Sequence, residues 1–261
     1  MKSKGYINYL KRKRNYAIKV FLTQFFLIIL FLILWQFLTD KKIIDSFLLS
    51  SPKKVYNTII SLYKDNNLFN HIFITFYEII ISFIIGNILG LLISSILWFN
   101  KFLSKVFDPF LTIINSLPKV AFGPLIIVCF GANINSIIIM SLLISLIISI
   151  ISITNAFSSS DKNKIKLLQS FGANKYQIYK YLILPGNKNK IIETFKLNIS
   201  MCFVGTIMGE LLVSKEGIGY LIIYGSQIFN MNLVITGVVL LIILTIILYI
   251  IVNYFEKISR N

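Results

Sequence analysis

Long stretches without a charged residue most constrain what this chain can fold into. One covers Val20–Leu38, another covers Val120–Ser160, and a third, Leu197–Ser214, carries the single charge of Glu210. A helix needs about 20 apolar residues to cross a hydrocarbon core of about 30 Å. Mean hydropathy is +0.80, which is far above that of an ordinary soluble domain. The pattern predicts an all-α, polytopic membrane protein with about six transmembrane helices.

The apolar runs and the polar segments between them predict how the chain is divided. The expected parts are a basic N-terminus 1–19, a retained first transmembrane helix 20–38, an external segment 39–71, a membrane core 72–254 and a tail 255–261. Within the external segment, Ser51 and Pro52 favour the start of a short surface helix. Within the core, the span expected near 106–130 contains three prolines, so we expect it to be kinked or broken.

The positive charge of the chain lies between the apolar runs. Lys and Arg number 26 against 10 acidic residues, for a net charge of +16. Cations that cluster between spans indicate contact with lipid headgroups and a topology signal, and not nucleic-acid binding. If the N-terminus is cytoplasmic, about 18 cations lie inside and about six outside, which is the bias expected from the positive-inside rule. We therefore predict that both termini face the cytoplasm across the cell membrane.

Three ionisable residues fall within or near the predicted spans, namely Glu78, Lys119 and Glu210. Charged groups at membrane depth are expensive and are often functional, so the three are candidates for a translocation path. The alternative is that they pair inside the bundle, with Lys119 bound to one of the glutamates. Lys119 lies between two prolines, where a broken backbone is tolerated mainly if it lines a cavity.

Glycines form two small-xxx-small pairs, Gly86 with Gly90 and Gly205 with Gly209. Such pairs favour close helix packing, here within one chain or at a dimer face. A glycine-rich loop at 216–221, EGIGYL, is either a re-entrant external gate or an ordinary turn. The sequence has one histidine, His71, and no Cys–His or paired-aspartate pattern, so neither a metal site nor a membrane-embedded enzyme is expected.

The segment 158–190, called the knob below, is a long polar interruption in the second half of the chain. Ser160 or Asp161 is placed to cap a first helix, and Gly172 is placed to break it. Asn174 with Gln177 has the spacing of a capping box for a second helix, which we expect Pro185 to end. Two short helices around a glycine would expose aromatic anchors typical of protein interfaces, namely Phe171, Tyr176 and Tyr179.

The knob resembles the EAA loop of binding-protein-dependent ABC importer permeases. That family motif runs E-A-A, three residues, Gly, nine residues and I-x-L-P. Gly172, Leu184 and Pro185 match it and Leu182 stands for the Ile, whereas the E-A-A positions hold Lys166, Leu167 and Leu168. Four further blocks resemble the nitrate/sulfonate/taurine branch, and the third is similar to permeases for thiamine precursors: FLLSSPKKV (47–55), TFYEIIISFIIGNILGLLI (75–93), DPFLTIINSLPKVAFGPLIIVCFG (108–131) and GELLVSKEGIGYLI (209–222).

The resemblance implies a permease subunit and not an enzyme, paired with a second copy and served by an external solute-binding protein. Cytoplasmic ABC ATPase subunits would bind ATP and Mg²⁺, no cofactor would bind this chain, and the solute would be a sulfonate, taurine, nitrate or a thiamine precursor. The residues implied in ATPase coupling are Lys166, Leu168, Phe171, Gly172, Tyr176, Tyr179, Leu184 and Pro185. The chain has no G-x-x-x-x-G-K-[ST] loop of its own. The alternative is an ion-coupled secondary carrier that uses Glu78, Glu210 and Lys119.

Overall fold

A computed structural model of the chain describes the backbone of residues 4–65 and 67–260 and the side chains of 12–16, 18–65 and 67–254. Within those residues every regular element is a helix, which confirms the all-α class. The predicted segments 1–19 and 255–261 therefore lie partly outside the described residues, and the orientation of both termini stays a prediction.

The helices follow one another with short connections. Their bounds are α1 Lys4–Asp40, α2 Ser46–Leu49, α3 Pro52–Lys64, α4 Leu68–Phe99, α5 Lys101–Ser116, a 3₁₀ turn Lys119–Phe122, α6 Gly123–Phe130, α7 Ile134–Ser158, α8 Lys162–Ser170, α9 Lys175–Ile178, a π turn Tyr179–Ile183, α10 Leu184–Gly186, α11 Lys188–Val213, α12 Ile218–Gln227 and α13 Met231–Arg260. The expected surface helix is α3, and the side chain of Ser51 caps it by accepting a hydrogen bond from the Lys54 N–H.

Five stretches of the described chain are long and apolar enough to cross a membrane, and a sixth is added if the bent pair α5–α6 counts as one span. The two halves of that pair meet at an angle of 92°. The break falls at Leu117 and Pro118, where proline disfavours a helical conformation in the residue before it. By contrast, Pro109 lies inside α5 without ending it. The expectation of a broken third span is confirmed.

Three helices, α4, α7 and α11, form a closely packed bundle at the centre of the fold. On α4, a Cβ built on Gly90 would lie 2.3 Å from the Ser149 Oγ on α7. On α11, a Cβ on Gly205 would lie 2.5 Å from the Cα of Ser141. Small residues therefore allow α7 to approach both neighbours at backbone distance. Of the two readings of the glycine pairs, packing within one chain is the one confirmed.

Among the residues whose side chains the structure describes, the first helix, α1, meets the rest of the chain near its last turn. Its membrane-crossing part has no buried residues. Thr39 is buried, and the Gln36 side chain accepts a hydrogen bond of 3.2 Å from the Lys53 N–H on α3. Helix α3 in turn lies against α4 and the start of α13. The bundle is therefore built from α4 onward, with α1 attached at one end.

Candidate functional site

The knob has the two-helix form expected from its sequence. The Asp161 side chain caps α8 by accepting a 2.8 Å hydrogen bond from the Asn163 N–H. Gly172 then adopts φ +81°, a left-handed conformation that favours glycine. Asn174 and Gln177 exchange two hydrogen bonds of 2.8 Å in a complete capping box. Local sequence therefore sets the turn at the tip of the knob.

The second part of the knob continues past Pro185, contrary to the expectation that proline ends it there. A π turn at Tyr179–Ile183 comes first, and the helix reaches Gly186. Proline has no N–H for the carbonyl four residues earlier, and its ring clashes with that carbonyl. The wider π turn accommodates this conflict, and the helix extends one residue beyond Pro185 to Gly186. π turns are rare in proteins, and those that do occur are often found at functional sites.

Tyr179 anchors the knob to the membrane helices. Its ring lies 5.4 Å from Trp98, 5.0 Å from Phe99 and 5.8 Å from Phe157, measured between centroids. Its hydroxyl is 2.6 Å from the Ser95 Oγ. The expectation that Tyr179 belongs to an exposed aromatic surface is therefore wrong, because α4 and α7 hold this ring on the inner side of the knob.

The two ends of the knob are also joined to each other. The Asn187 side-chain amide donates to the Ser160 Oγ and to the Ile183 carbonyl, both at 2.8 Å, and the Lys190 ammonium donates to the Ser159 Oγ at 2.7 Å. Buried Ile178 and Ile183 continue the apolar core beneath, against which Leu168 and Leu184 are packed. The knob is therefore an extension of the bundle.

The outer side of the knob presents aromatic and cationic side chains. Phe171 is 76% exposed and Tyr176 is 62% exposed. Lys166 is exposed on α8 beside Leu167. Exposed aromatic residues on a firmly held element are the kind of anchor that protein partners bind. Phe171, Tyr176 and Lys166, together with exposed Gly172 and Pro185, therefore form the accessible part of the predicted coupling residues. Tyr179, Leu168 and Leu184 support them from beneath.

At the other end of α4 lies a buried cluster around Glu210. Three residues on one face of α4, namely His71, Thr75 and Glu78, point to the junction between α11 and α12. The Thr75 hydroxyl donates to one carboxyl oxygen of Glu210 at 2.6 Å, and the Gly219 N–H donates to the other at 2.5 Å. The carboxyl groups of Glu78 and Glu210 contact each other, and both residues are buried. The alternative that these glutamates pair within the bundle is what the structure shows.

Two glycines of the EGIGYL loop make room for the Glu210 carboxyl group. A Cβ on Gly217 would lie 2.4 Å from a carboxyl oxygen of Glu210, and a Cβ on Gly219 would lie 2.7 Å from its Cβ. Gly217 also has φ +102°. Its N–H donates to His71 Nδ1 at 3.0 Å, and the next N–H, that of Ile218, donates to the Thr75 hydroxyl at 2.8 Å. The loop is therefore a buried backbone cradle at the N-terminus of α12.

Lys119 is separate from this cluster. It lies in the 3₁₀ turn after Pro118, and its ammonium group donates to the carbonyl and side-chain oxygens of Asn115. It forms no ion pair with Glu78 or Glu210, so the alternative in which Lys119 pairs with a glutamate is not what the structure shows. The side chain is half-buried at the bend between α5 and α6. Glu78 and Glu210 thus lie together, and Lys119 lies apart from them at the break between α5 and α6.

A cavity of about 860 Å³ lies between α11 and α13. Apolar residues such as Phe203 and Leu248 line most of it, and the Lys196 ammonium lies 5.6 Å from the Tyr249 ring at its edge. The sequence did not predict this cavity, because it depends on how two apolar helices diverge. His71 and Thr75 were also missed as site residues, although their spacing from Glu78 places all three on one helical face.

Residues 86–260 match the family described as the inner membrane component of binding-protein-dependent transport systems. The chain is 26% identical over 207 residues to a putative aliphatic sulfonates transport permease, SsuC, from Bacillus subtilis, covering 79% of this chain and 75% of that one. It is 24% identical over 198 residues to the formylaminopyrimidine transport permease ThiX from Halalkalibacterium halodurans, covering 76% and 78%.

The fold is also similar to that of a solved transporter. A chain of the MetNI methionine ABC transporter, in an inward-facing conformation, matches with a TM-score of 0.63 and 19% identity. The match covers 74% of this chain and 95% of that chain. At this identity the likeness concerns the fold.

Proposed function

The chain belongs to the family of inner membrane components of binding-protein-dependent transport systems, and we propose on this basis how it works and which solute it carries. It is a permease subunit of an ABC importer, not an enzyme, and a multi-pass protein of the cytoplasmic membrane. Our proposal is that it forms the transmembrane path for a small solute. It couples to separate ATPase subunits, which bind ATP and Mg²⁺, through residues 158–185.

The observation that carries the coupling proposal is the build of the knob. Its outer side exposes Phe171 and Tyr176, while Tyr179 packs against the end of α4 and against α7 beneath them. A displacement of the exposed side is transmitted to these helices, since the aromatic packing and the bonds at Asn187 leave little slack. Of the positions that replace E-A-A, Lys166 and Leu167 lie on the same accessible side, and Leu168 packs beneath them.

The test is co-purification of the permease with its cognate ATPase subunit. Phe171→Ala removes an exposed anchor without touching the packing around Tyr179. Its matched control is Tyr56→Ala, because Tyr56 is 64% exposed on α3 at the other end of the fold. If Phe171 is an interface hot spot worth about 2 kcal/mol or more, ATPase recovery falls at least tenfold, while the control binds normally. Equal recovery from both variants would contradict the coupling role.

We further propose that two copies assemble around the path. The centre of the α4–α7–α11 bundle is filled by backbone and small side chains, as the approach of Gly90 to Ser149 illustrates. A solute therefore passes along an outer surface of one copy, and a second copy encloses it. Lys119 is the intramembrane cation that reaches such a surface, at the break between α5 and α6. Crosslinking of the purified protein in lipid nanodiscs tests this, and a monomeric complex would contradict it.

The solute is proposed to belong to the class formed by sulfonates, taurine, nitrate and thiamine precursors. Support comes from the similarity to sulfonate and formylaminopyrimidine permeases and from the half-buried Lys119, which suits an anion. Uptake of each compound is measured in proteoliposomes that contain permease, ATPase and the external binding protein. Uptake that requires internal ATP supports an importer. Uptake driven by an imposed ion gradient without ATP would instead support a secondary carrier.

A further inference from the structure

The buried contact between Glu78 and Glu210 has a chemical consequence. Two ionised carboxylates offer only acceptors, so a hydrogen bond between them requires a proton on one of them. Two like charges in direct contact inside a protein do not both persist, and such pairs share a single proton. The question is therefore which of the two carboxyl groups carries it.

The partners of each carboxyl group answer this question. Both oxygens of Glu210 accept hydrogen bonds from other groups, one from the Thr75 hydroxyl and one from the Gly219 N–H. The Thr75 hydroxyl accepts from the Ile218 N–H with one lone pair and donates its hydrogen to Glu210. By contrast, one oxygen of Glu78 has no hydrogen-bond partner in the protein. Hydrogen-bond donors from other residues therefore reach both carboxyl oxygens of Glu210, whereas one carboxyl oxygen of Glu78 has none.

The surroundings of Glu210 also suit an anion. The Gly219 N–H belongs to the first turn of α12, a ten-residue helix whose unpaired N–H groups favour negative charge. Gly217 and Gly219 leave space that a Cβ would occupy, so the backbone approaches the carboxylate closely. Hydrogen bonds to an ionised group are stronger than neutral ones. Glu210 is therefore the better site for the charge.

We propose that Glu78 and Glu210 hold one proton between them and form a clasp, in which neutral Glu78 donates a hydrogen bond to anionic Glu210. The anion binds the N-terminus of α12 and so joins it to α4 and α11. Thr75 and His71 complete the clasp by accepting from the Ile218 and Gly217 N–H groups. The clasp lies toward the end of α4 opposite the knob, and the 20 residues of helix between Glu78 and Trp98 separate them by roughly 30 Å at 1.5 Å per residue. When α4 and α11 move relative to each other at the knob, the clasp opposes that movement at the other end of the two helices.

Paired substitutions test the placement of the proton. In Glu78→Gln the amide N–H₂ donates to Glu210 as the carboxylic acid did, so thermal stability is retained. In Glu210→Gln one acceptor becomes a donor facing other donors, so the unfolding temperature falls. Thr75→Val gives a second loss of stability with little change in volume. Its matched control is Thr245→Val, since the Thr245 hydroxyl bonds only its own helix at the Leu241 carbonyl.

Infrared spectroscopy of the purified full-length protein at neutral pH supplies a readout that a purely structural role would not move. We expect a protonated carboxyl band that is lost in Glu78→Gln and persists in Glu210→Gln. A wild-type spectrum without this band would overturn the clasp, and so would a stability loss in Glu78→Gln equal to that in Glu210→Gln. Neither readout depends on transport, so the clasp can fail while the proposed function stands.

Discussion

The contact between Gly90 and Ser149 allows the spacing of α4 and α7 to be tested quantitatively. In Gly90→Ala the new Cβ would lie 2.3 Å from the Ser149 Oγ and 2.6 Å from its Cβ. An ordinary contact begins at 3.4 Å. The Ser149 Oγ can rotate away but its Cβ cannot, so the Cβ distance requires the helices to separate by about 0.8 Å, a gap that forfeits a quarter to a half of each affected van der Waals contact. In membranes this packing is a main source of helix association.

The expected loss of stability follows from two opposing contributions. Overpacking at a rigid contact costs roughly 1–3 kcal/mol, and replacing a helical glycine by alanine returns about 1 kcal/mol. Gly90→Ala is therefore expected to be destabilising by up to about 2 kcal/mol. The matched control is Gly186→Ala, where a Cβ would meet nothing within 4 Å, and there we expect no loss.

A second substitution shows whether the side chain of Ser149 is the cause. Ser149→Gly removes both close atoms and leaves the Ser149 carbonyl carbon at 3.7 Å. It breaks no hydrogen bond, since the Ser149 Oγ has no partner in the protein. Gly90→Ala with Ser149→Gly should therefore be more stable than Gly90→Ala alone. For Gly205→Ala no such rescue is expected from Ser141→Gly, because the clash at 2.5 Å involves the Ser141 backbone Cα.

The measurement is unfolding of the purified protein in mixed micelles of detergent and sodium dodecyl sulfate, followed by circular dichroism. Each free energy is compared with that of the wild type, and the coupling energy of the double mutant is taken from the cycle. A double mutant no more stable than Gly90→Ala would refute the idea that this contact sets the spacing of α4 and α7.

Three further predictions concern the knob and the bend. Gly172→Ala should cost about 1 kcal/mol through its left-handed backbone alone, seen as faster proteolysis of the knob; an unchanged rate would contradict this. Tyr179→Phe should lose only the 2.6 Å bond to Ser95, about 1 kcal/mol, whereas Tyr179→Ala should release the knob and abolish ATPase co-purification; equal effects would rule out the rings as the anchor. Lys119→Ala should lower uptake of an anionic solute while assembly on gel filtration is unchanged, and unaltered uptake kinetics would remove Lys119 from the path.

The sequence predicted those features that depend on local chemistry or on the bilayer. Uncharged runs identify the spans because the membrane core excludes charge, and the Pro118 break follows from the backbone limits of proline. The Asn174–Gln177 capping box and the turn at Gly172 likewise follow from residues a few positions apart. These signals require no knowledge of the neighbouring helices.

Features that depend on distant neighbours could not be predicted in the same way. Tyrosine is a residue type that is common at protein interfaces. The Tyr179 ring nevertheless faces the bundle, because it packs against Trp98 and Phe157. Glu78 and Glu210 are separated by most of the core, so their contact depends on the register between α4 and α11. For Pro185, the π turn absorbs a conflict that would otherwise end a helix. In each case tertiary packing overrides the local preference.

The isolation of α1 bears on how the protein is made. This helix meets α3 near its last turn, and its membrane-crossing length is unburied within one copy of the chain. It can therefore leave the insertion machinery for lipid as soon as it is synthesised, without waiting for later helices. The segment from α4 to α12 differs, because its glycine contacts and buried carboxyl groups are satisfied only once the three central helices and α12 are present. Insertion of α1 is thus an early step that does not depend on the other helices, and the central helices assemble later and together.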